Sequence, residues 1–470
     1  MIAAATSGFT LTRMAQIAGG DLVVREAPAD PTSREALLRA PVEGASIDTR
    51  TLEPGQLFVP LPGSRVDGHA FLVEAFRRGA AAALCARERW PEWRGREPGP
   101  LVVVEDVTAA LGRLGHARRL EWHGLLLGIT GSTGKTTTRA LVAAALATGG
   151  PVLESAANLN NQWGVPLTLL RLAPDHRAAV VEIGTNHPGE IEHLAGIVAP
   201  DAAIITNAGR AHLEGFGSVA AVAREKARLG FALEPGRPLF AGADSAPLRR
   251  ALAGVRARVI LYGLGRAAEV RPRVMRDLGP EGSRIEVDGF PPLVLPLVGR
   301  HQATNALAAF AVARTFALDP AAVVAALAKA RGAPGRMEVR RARGGTVIAD
   351  CYNANPDSMR SALAALARWP GARRRIAVLG DMLELGARAA AMHEATGARV
   401  GDAELWTTGA HARDYAAGAR RAGARARVFR SKSELARALR AALAPGVVAL
   451  VKASHGAALD EVVAGLEGED

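Results

Sequence analysis

Residues 125–146 combine the side chains and the spacing that phosphate chemistry requires. They read LLLGITGSTGKTTTRALVAAAL, an apolar run that leads into a glycine-rich loop and then into an alanine-rich, helix-like segment. In such a loop Gly131 and Gly134 let backbone N–H groups surround a phosphate, and the next helix points its positive end there. Lys135 would reach the β- and γ-phosphates of a nucleotide, and Thr136 would hold Mg²⁺. The segment therefore predicts a phosphate-binding P-loop.

The predicted P-loop departs from the common pattern at one position. A strict G-x-x-x-x-G-K-[ST] pattern requires glycine at position 129, where this chain has Ile129 and carries its extra glycine at Gly131 instead. The alternative is a glycine turn with an incidental lysine, but strand, loop and helix occur in the required order. We expect the nucleotide to contact these residues: Gly131, Ser132, Thr133, Gly134, Lys135, Thr136 and Thr137.

Two polar residues follow apolar runs that resemble strands of the same sheet. Glu182 ends the run in VVEIGTNHPGEI, where it could bind Mg²⁺ directly or through water. The alternative is a cap of the next helix, for which Glu190 is the better candidate. His212 follows the next run, in IITNAGRAHLEGFGS. A single histidine is more often structural than a metal ligand, so the sequence leaves both roles open for His212.

Other polar residues are weaker candidates taken one at a time. The asparagines of AANLNNQWGVPLTLL, including Asn160 and Asn161, could position a polar substrate or cap the helix that follows. A base, a ribose and phosphates could be recognised by a set from three separate segments: Asn305, Arg336 and Asp350. Lys226 lies in the helical segment AAVAREKARLG, where a lysine is ordinarily a solvated surface group.

The elements that position these residues predict an α/β protein of three domains. Residues 1–106 form a small α/β domain, with a strand at 56–61 and a helix at 70–78. In residues 107–314, apolar runs alternate with helical segments, as in a mostly parallel sheet that carries a P-loop. The alternation restarts in residues 315–470, which predicts a Rossmann-like domain.

Composition restricts the classes of protein to which the chain could belong. The 470 residues are 49% hydrophobic, which is typical of a globular protein of roughly three domains. The apolar runs are shorter than a membrane span and the N-terminus lacks a signal-peptide layout, so we expect a cytoplasmic protein. Cys85 and Cys351 form neither a disulfide framework nor a metal-ligand pattern.

The net charge of +12 is spread along the chain without a basic block interleaved with aromatic residues. Nucleic-acid binding is therefore not expected. A basic balance suits small acidic substrates, although a composition rich in arginine and alanine explains the charge equally well.

A family resemblance emerges when the motifs are read together. GSTGKTTT, NLNNQWGVPLTLL, EIGTNHPGEI, AHLEGFGS, GRHQATNALAA, PGRMEV, DCYNANPDSM, LGDMLELG and VKASHGAALDEVV occur in this order, after SIDTRTLEPGQLFVPLPGSRVDGH. The chain resembles the Mur ligases of peptidoglycan synthesis over essentially its whole length.

The resemblance implies an N-terminal domain for a UDP-sugar, a central ATPase domain and a mobile C-terminal domain that presents an amine. The γ-phosphate of ATP would go to a substrate carboxylate, and the amine would attack the resulting acyl phosphate. The YNANPDSM form implies UDP-N-acetylmuramoyl-tripeptide and D-alanyl-D-alanine as substrates. We expect a monomer with no nucleic-acid partner.

The resemblance also implies roles for individual residues. Lys135, Glu182, His212 and Lys226 match catalytic positions, and Lys226 falls where most of the family has a lysine carbamylated by CO₂. The ligands of two expected Mg²⁺ ions are Thr136, Glu182, His212 and Lys226. The positions that match ATP contacts are Asn305, Arg336 and Asp350. The expected substrate contacts are Ser46, Thr49, Arg50, Asn160, Asn161, Thr185 and Asn186.

One motif departs from the family and two alternatives are weighed. VKASHGAALD has Ala453 and His455 where the family commonly has glycine and arginine, so no substrate role is assigned to residue 455. The family member that adds the third peptide residue usually carries an Asp-Asn-Pro-Arg motif, which is absent from this sequence. A nucleotide-binding regulator without ligase chemistry would be expected to have lost Lys135, Glu182, His212 or Lys226. The third residue of the accepted tripeptide, diaminopimelate or lysine, stays open.

Overall fold

The apolar runs of the sequence become the strands of five sheets in the computed structural model, which describes residues 8–25, 30–63 and 66–466. The first seven residues, part of the N-terminal stretch without a signal-peptide layout, lie outside the described ones. Two compact units make up the chain. The first contains residues up to Gly128, Gly150–Gly184 and Ile191–Asp201, and the second contains Ile129–Gly149, Thr185–Glu190 and the chain from Ala202 onwards.

The N-terminal segment forms a small α/β layer structure in the first unit. Its elements are: β1 (Phe9–Thr10), α1 (Leu11–Ala18), β2 (Asp21–Val23), α2 (Pro31–Arg39), β3 (Pro41–Val42), β4 (Ala45–Ser46), β5 (Leu57–Phe58), α3 (Leu72–Arg77), β6 (Ala82–Ala86), α4 (Trp90–Trp93), β7 (Leu101–Val104) and α5 (Val107–Glu121). The main sheet has the order β2-β7-β6-β5-β4 and only β2 runs antiparallel to its neighbour. Apolar residues of β6 and β7 pack against α1 and α5, because alternate side chains of a strand face the same side.

Two N-terminal elements are shorter than the sequence predicts. The strand expected at 56–61 is limited to β5, since Pro60 and Pro62 cannot donate ladder hydrogen bonds. The helix expected at 70–78 is α3, preceded by a 3₁₀ turn at Gly68–Phe71.

The middle of the chain contains the strand and helix that flank the predicted P-loop. Its elements are: β8 (Leu125–Thr130), α6 (Lys135–Leu146), β9 (Val152–Glu154), α7 (Gly164–Leu169), β10 (Ala178–Glu182), α8 (Glu190–Val198), β11 (Ala202–Ile205), α9 (Leu213–Phe216), α10 (Val219–Phe231), β12 (Pro238–Gly242), α11 (Ala246–Ala251), β13 (Arg258–Tyr262), β14 (Val274–Asp277), β15 (Ser283–Glu286), β16 (Leu293–Leu295) and α12 (Arg300–Thr315).

Parallel pairing dominates the strands around the P-loop. In the first unit β10 pairs in parallel with β9, and Leu125 at the start of β8 donates its N–H to the carbonyl of Arg177. In the second unit β11, β12 and β13 pair in parallel, and Thr206 donates to the carbonyl of Thr130 at the end of β8. Antiparallel β15 and β16 form a hairpin around Gly289, and β14 extends it to three strands.

The C-terminal segment forms a doubly wound sheet in the second unit. Its elements are: α13 (Pro320–Leu327), β17 (Glu338–Ala342), β18 (Gly345–Asp350), α14 (Pro356–Ala367), β19 (Arg374–Leu379), α15 (Ala389–Gly397), β20 (Glu404–Thr407), α16 (Ala412–Arg421), β21 (Ala426–Val428), α17 (Lys432–Ala442), β22 (Val447–Lys452) and α18 (Asp460–Ala464). The strand order is β17-β18-β22-β19-β20-β21, and only β17 is antiparallel to its neighbour. Separate apolar clusters cover the two faces of this sheet. The predicted α/β fold class, with its Rossmann-like C-terminal part, is confirmed.

Within the described residues, no helix is both long enough and apolar enough to cross a lipid bilayer.

The two cysteines are core residues and should resist thiol reagents in the folded protein. Burial raises the pKa of the Cys85 thiol to about 11 and that of Cys351 to about 12. Both thiols therefore stay protonated at about pH 8, where the reactive thiolate is scarce. We expect Ellman's reagent to modify them at least about 100-fold more slowly in the native protein than in denaturant. A cysteine introduced by Ser33→Cys on the exposed face of α2 is the fast-reacting control. Rapid native labelling of Cys85 or Cys351 would contradict the burial described here.

Candidate active site

The loop between β8 and α6 has two glycines that no other residue could replace without displacing a neighbour. A Cβ atom on Gly131 would lie 1.8 Å from the Oγ1 atom of Thr206. A Cβ atom on Gly134 would lie 2.5 Å from the Oδ1 atom of Asn305, and Gly134 has a left-handed backbone with φ of 80°. The loop is therefore held tightly between the end of β11 and helix α12. Such a backbone leaves room for a phosphate at the start of α6.

Asn207, which the sequence analysis did not single out, shapes the P-loop. Its Oδ1 atom accepts from the N–H of Thr133 at 3.1 Å, and its Nδ2 atom donates to the carbonyl and to Oγ1 of Thr133 at 3.1 and 3.0 Å. Its carbonyl accepts from the N–H of Ser132 at 3.1 Å, and the hydroxyl of Thr206 donates to the carbonyl of Thr133 at 2.6 Å. These bonds fix the loop just before α6, whose first N–H groups have no acceptor within the helix.

The two lysines of the site differ in their surroundings. The Nζ atom of Lys135 donates to the carbonyl of Gly131 at 3.0 Å, so this side chain lies along the loop. Lys226, on α10, is only 1% exposed. Burial and the nearby Lys135 cation lower the pKa of the Lys226 amine well below its usual value, and Glu225 only partly offsets this. Lys226 is therefore not the solvated surface group that its helical position suggests.

Glu182 is buried at the end of β10, as predicted, and is 3% exposed. Its Oε1 atom accepts from the Nδ2 atom of Asn160 at 2.9 Å, and its N–H donates to Ser155 Oγ at 2.9 Å. The structure thus brings together Asn160 and Glu182, two of the predicted site residues. Asn161 instead accepts from the N–H groups of Trp163 and Gly164 at 3.2 and 2.9 Å, which is the capping geometry that the sequence analysis left open for it.

Thr185 and Asn186 are organised by Glu190 at the start of α8. The Oε2 atom of Glu190 accepts from the N–H groups of Asn186 and His187 at 2.6 and 2.9 Å and from the hydroxyl of Thr185 at 3.1 Å. Glu190 therefore orders the loop that leads into α8, and the predicted cap of that helix stays a prediction.

His212 follows β11 and contacts a residue far away in the sequence. Its Nδ1 atom lies 2.5 Å from Oε2 of Glu384, and the N–H of Glu214 donates to the carbonyl of Glu384 at 3.2 Å. The hydrogen bond with His212 holds the pKa of Glu384 below its usual value.

Arg210, two residues before His212, makes a second contact with the C-terminal region. Its backbone N–H donates to Oδ2 of Asp357 at 2.8 Å, and its Nη2 atom donates to Oδ1 at 3.1 Å. None of these partners was predicted, because 147 and 172 residues separate the members of the two pairs.

The three expected ATP contacts lie in two places. Asn305 is beside the P-loop, with its Nδ2 atom donating to Oε1 of Gln302 at 2.8 Å. Asp350, at the end of β18, accepts from the Nζ atom of Lys452 at 2.6 Å. Arg336 lies over the ring of Tyr352, 4.0 Å from its centroid. Tyr352 follows Asp350 by two residues, so Arg336 and Asp350 both belong to the carboxyl end of β18.

The expected substrate contacts Ser46, Thr49 and Arg50 lie at and just after the end of the edge strand β4 in the first unit. Ser46 is 8% exposed, and its hydroxyl donates to the carbonyl of Asp48 at 2.9 Å. The carboxylate of Asp48 also forms a bidentate pair with the guanidinium of Arg50. Nε of Arg50 donates to Oδ1 at 3.0 Å, and Nη2 donates to Oδ2 at 2.6 Å. Thr49, between them, is half-buried. Asp48 was missed by the sequence analysis.

The expected metal donors do not form a ready-made cluster of the usual ligand types. Among residues 8–25, 30–63 and 66–466, no group of three or more His, Cys, Asp or Glu side chains could hold a metal ion. The expected set contains only one carboxylate and one imidazole, besides the hydroxyl of Thr136 and the amine of Lys226.

A P-loop between a buried strand and a helix, with parallel strands beside it, defines a nucleotide-binding α/β protein. Three family models match the chain: "Mur ligase family, catalytic domain" at residues 41–119, "Mur ligase middle domain" at 129–313 and "Mur ligase, glutamate ligase domain" at 335–455. The chain is also 35% identical to the UDP-N-acetylmuramoyl-tripeptide--D-alanyl-D-alanine ligase of Escherichia coli strain K12, over 92% of this chain and 96% of that one. The chain belongs to the Mur ligase family.

Solved structures agree with this assignment. A crystal structure of MurF from Acinetobacter baumannii is 28% identical, has a TM-score of 0.85 and is matched over 98% of this chain and 99% of that one. MurF from Thermotoga maritima in complex with ADP is 26% identical, has a TM-score of 0.79 and is matched over 91% and 97%.

We expect Asn207→Asp to weaken nucleotide binding about 30-fold, which corresponds to about 2 kcal/mol. The change keeps the size of the side chain but removes the Nδ2 donor, and with it two hydrogen bonds to Thr133 that each contribute about 1 kcal/mol. ADP affinity measured by isothermal titration calorimetry checks this prediction. The control is Asn158→Asp, in an exposed loop position of the first unit, which should leave ADP affinity unchanged. Equal affinities of wild type and Asn207→Asp would show that Asn207 does not hold the loop for binding.

Proposed function

We propose that this chain is the ATP-dependent ligase that joins D-alanyl-D-alanine to the free carboxylate of UDP-N-acetylmuramoyl-tripeptide. The observation that carries the proposal is the P-loop, shaped by Asn207 and accompanied by the buried Lys226. It occurs in a chain similar over 92% of its length to an enzyme of that name. ATP is the phosphoryl donor, and an ADP complex of a related MurF supports this part.

The chemistry overcomes the poor reactivity of a carboxylate as an acyl donor. A carboxylate oxygen attacks the γ-phosphorus of ATP, the bond from phosphorus to the bridging oxygen breaks, and ADP leaves. The amine of D-alanyl-D-alanine then attacks the carbonyl carbon of the acyl phosphate. The tetrahedral adduct loses inorganic phosphate and a proton to give the amide. Lys135 and the first N–H groups of α6 offset the negative charge on the transferring phosphoryl group.

The side chains of the site suit a Mg²⁺ ion, which would screen the two approaching anions and stabilise the transferring phosphoryl group. Mg²⁺ prefers oxygen ligands, and the hydroxyl of Thr136 and the carboxylate of Glu182 supply them. His212 contributes an imidazole nitrogen. We propose that these residues, together with a carbamate on Lys226, hold two Mg²⁺ ions.

The surroundings of Lys226 support the proposal that its amine is carbamylated. The reaction requires a neutral amine, and burial beside Lys135 disfavours the charged form. The nitrogen lone pair forms a bond to the carbon of CO₂, and the nitrogen loses a proton, so a neutral group becomes an anion. The product then faces the Lys135 cation with the opposite charge, which replaces repulsion by attraction.

The remaining predicted contacts complete the proposal. The nucleotide contacts residues 131–137 together with Asn305, Arg336 and Asp350. The UDP-sugar peptide contacts a set from several segments: Ser46, Thr49, Arg50, Asn160, Asn161, Thr185 and Asn186. We propose that these contacts are distributed over three domains, which comprise residues 1–106, 107–314 and 315–470. We propose that the chain acts as a monomer in the cytoplasm.

The proposed reaction is tested by incubating the protein with ATP, the tripeptide precursor and D-alanyl-D-alanine. We expect phosphate release that requires both acceptors and a product whose mass includes the dipeptide. Lys135→Ala should lower turnover about 10³-fold or more with the fold intact, because the phosphoryl charge loses its cation. A free amino acid replacing the dipeptide as acceptor would indicate the ligase that adds the third residue. No release with any acceptor would indicate a regulator. Precursors ending in diaminopimelate or lysine distinguish the two tripeptides.

A second test separates a carbamate at Lys226 from a lysine that acts as a cation. We expect Lys226→Ala to lose most ligase activity and to regain part of it with added acetate or formate, in proportion to their concentration. A short carboxylate can enter the space left by the side chain and replace the missing anion.

An alkylamine is the matched control, because it would restore a cation and should have no effect. Full activity of Lys226→Ala without additives, or rescue by the amine alone, would contradict a carbamate at this position.

A further inference from the structure

We propose that Glu384 is a positioning residue for His212: by accepting the Nδ1–H of the imidazole, it keeps Nε2 as the atom that faces a divalent cation. The inference rests on the proposed function, in which His212 is a cation ligand. It adds a residue from the loop after β19 that the sequence motifs did not assign to the site.

The chemistry of the pair determines which imidazole nitrogen carries the proton. A carboxylate only accepts hydrogen bonds, so the 2.5 Å contact between Nδ1 of His212 and Oε2 of Glu384 requires a proton on Nδ1. In the neutral ring the lone pair is then on Nε2. Histidines that bind metals commonly donate their other N–H to a carboxylate, which fixes the orientation of the ring and strengthens the ligand.

The backbone at both ends of the contact is strained. His212 has φ of 53° and Glu384 has φ of 61°, in the left-handed region that side chains other than glycine seldom occupy. Only eight non-glycine residues of the described ranges have a positive φ, and these two contact each other. Strained residues persist where their surroundings hold them, and they are concentrated at functional sites.

The three residues just before Glu384 in its loop are held by hydrogen bonds. The carboxylate of Asp381 accepts from the N–H groups of Ala410 and His411 at 2.9 and 3.0 Å. The next two N–H groups, of Met382 and Leu383, donate to His393 Nε2 at 2.9 Å and Ser454 Oγ at 3.0 Å. Glu384 is therefore presented from a rigid loop, as a residue that positions another side chain must be.

The chain provides a matched control in the neighbouring contact of Arg210 with Asp357. This pair ties the same loop after β11 to the same C-terminal sheet region, but it does not touch the imidazole. If Glu384 merely joined the two segments, its replacement would change Mn²⁺ affinity and the His212 tautomer no more than replacement of Asp357 does. If Glu384 orients His212, its replacement should change both, whereas replacement of Asp357 should change neither.

The first measurement is the affinity of the full-length protein for Mn²⁺ in the presence of ADP. Electron paramagnetic resonance of the Mn²⁺ ion detects its binding. We expect Glu384→Ala to lower this affinity about 10- to 100-fold, as loss of a carboxylate behind a histidine ligand does elsewhere. Glu384→Gln keeps an oxygen acceptor without its charge and should give an intermediate value. Asp357→Asn should remain close to wild type, and His212→Ala gives the loss that follows when the ligand itself is removed.

The second measurement is the tautomer of His212, read from ¹⁵N chemical shifts of histidine-labelled protein and assigned with His212→Gln. We expect the Nδ1–H form in wild type and in Glu384→Gln, and loss of this preference in Glu384→Ala. A purely structural role would not change the tautomer. If Glu384→Ala does not fold, Glu384→Gln provides the test. Its Mn²⁺ affinity must then lie between those of wild type and His212→Ala, and its His212 must keep the Nδ1–H form.

Three results would overturn the inference: wild-type Mn²⁺ affinity in Glu384→Ala, an unchanged tautomer in that variant, or an equal loss in Asp357→Asn. Failure of the proposed cation site has a different signature, because His212→Ala itself would then bind Mn²⁺ as wild type does.

Discussion

Positive charge around the P-loop is the constraint on which the candidate site depends. Lys135 lies along the loop and its cation acts on the buried amine of Lys226. The partly exposed Lys135 and the buried Lys226 repel when both are charged, and Glu225 offsets only part of this effect. An anionic ligand such as a nucleotide phosphate would be attracted to this positive charge.

The segment after β11 connects this charge to the rest of the second unit. Its first residues, Thr206 and Asn207, hold the P-loop by side-chain hydrogen bonds. Its later residues, Arg210 and His212, contact Asp357 and Glu384 of the C-terminal region. Hydrogen bonds therefore hold both ends of this short segment. This segment is therefore the physical link between the nucleotide loop and the C-terminal sheet.

The sequence predicts well those strands and helices whose formation depends on the local pattern of apolar residues. The bounds of β8 and β22 agree with the apolar runs, since a buried parallel strand is a continuous apolar run. Lys226 could not be distinguished from a surface lysine by spacing, because its burial is created by the packing of α10. Glu384 was unpredictable for another reason. Its partner lies 172 residues away, and no local periodicity encodes such a contact.

Two buried lysines of this chain have very different surroundings. Lys452 and Lys226 are each 1% exposed. Lys452 is opposite Asp350 in the sheet register and donates to its carboxylate at 2.6 Å and to the carbonyl of Asn353 at 2.8 Å. A buried ammonium with such partners can remain charged. Lys226 instead has a cation beside it, so its charged form is opposed by both burial and repulsion. Lys452 thus has a carboxylate and a carbonyl as hydrogen-bond partners, whereas burial and the Lys135 cation lower the pKa of the Lys226 amine.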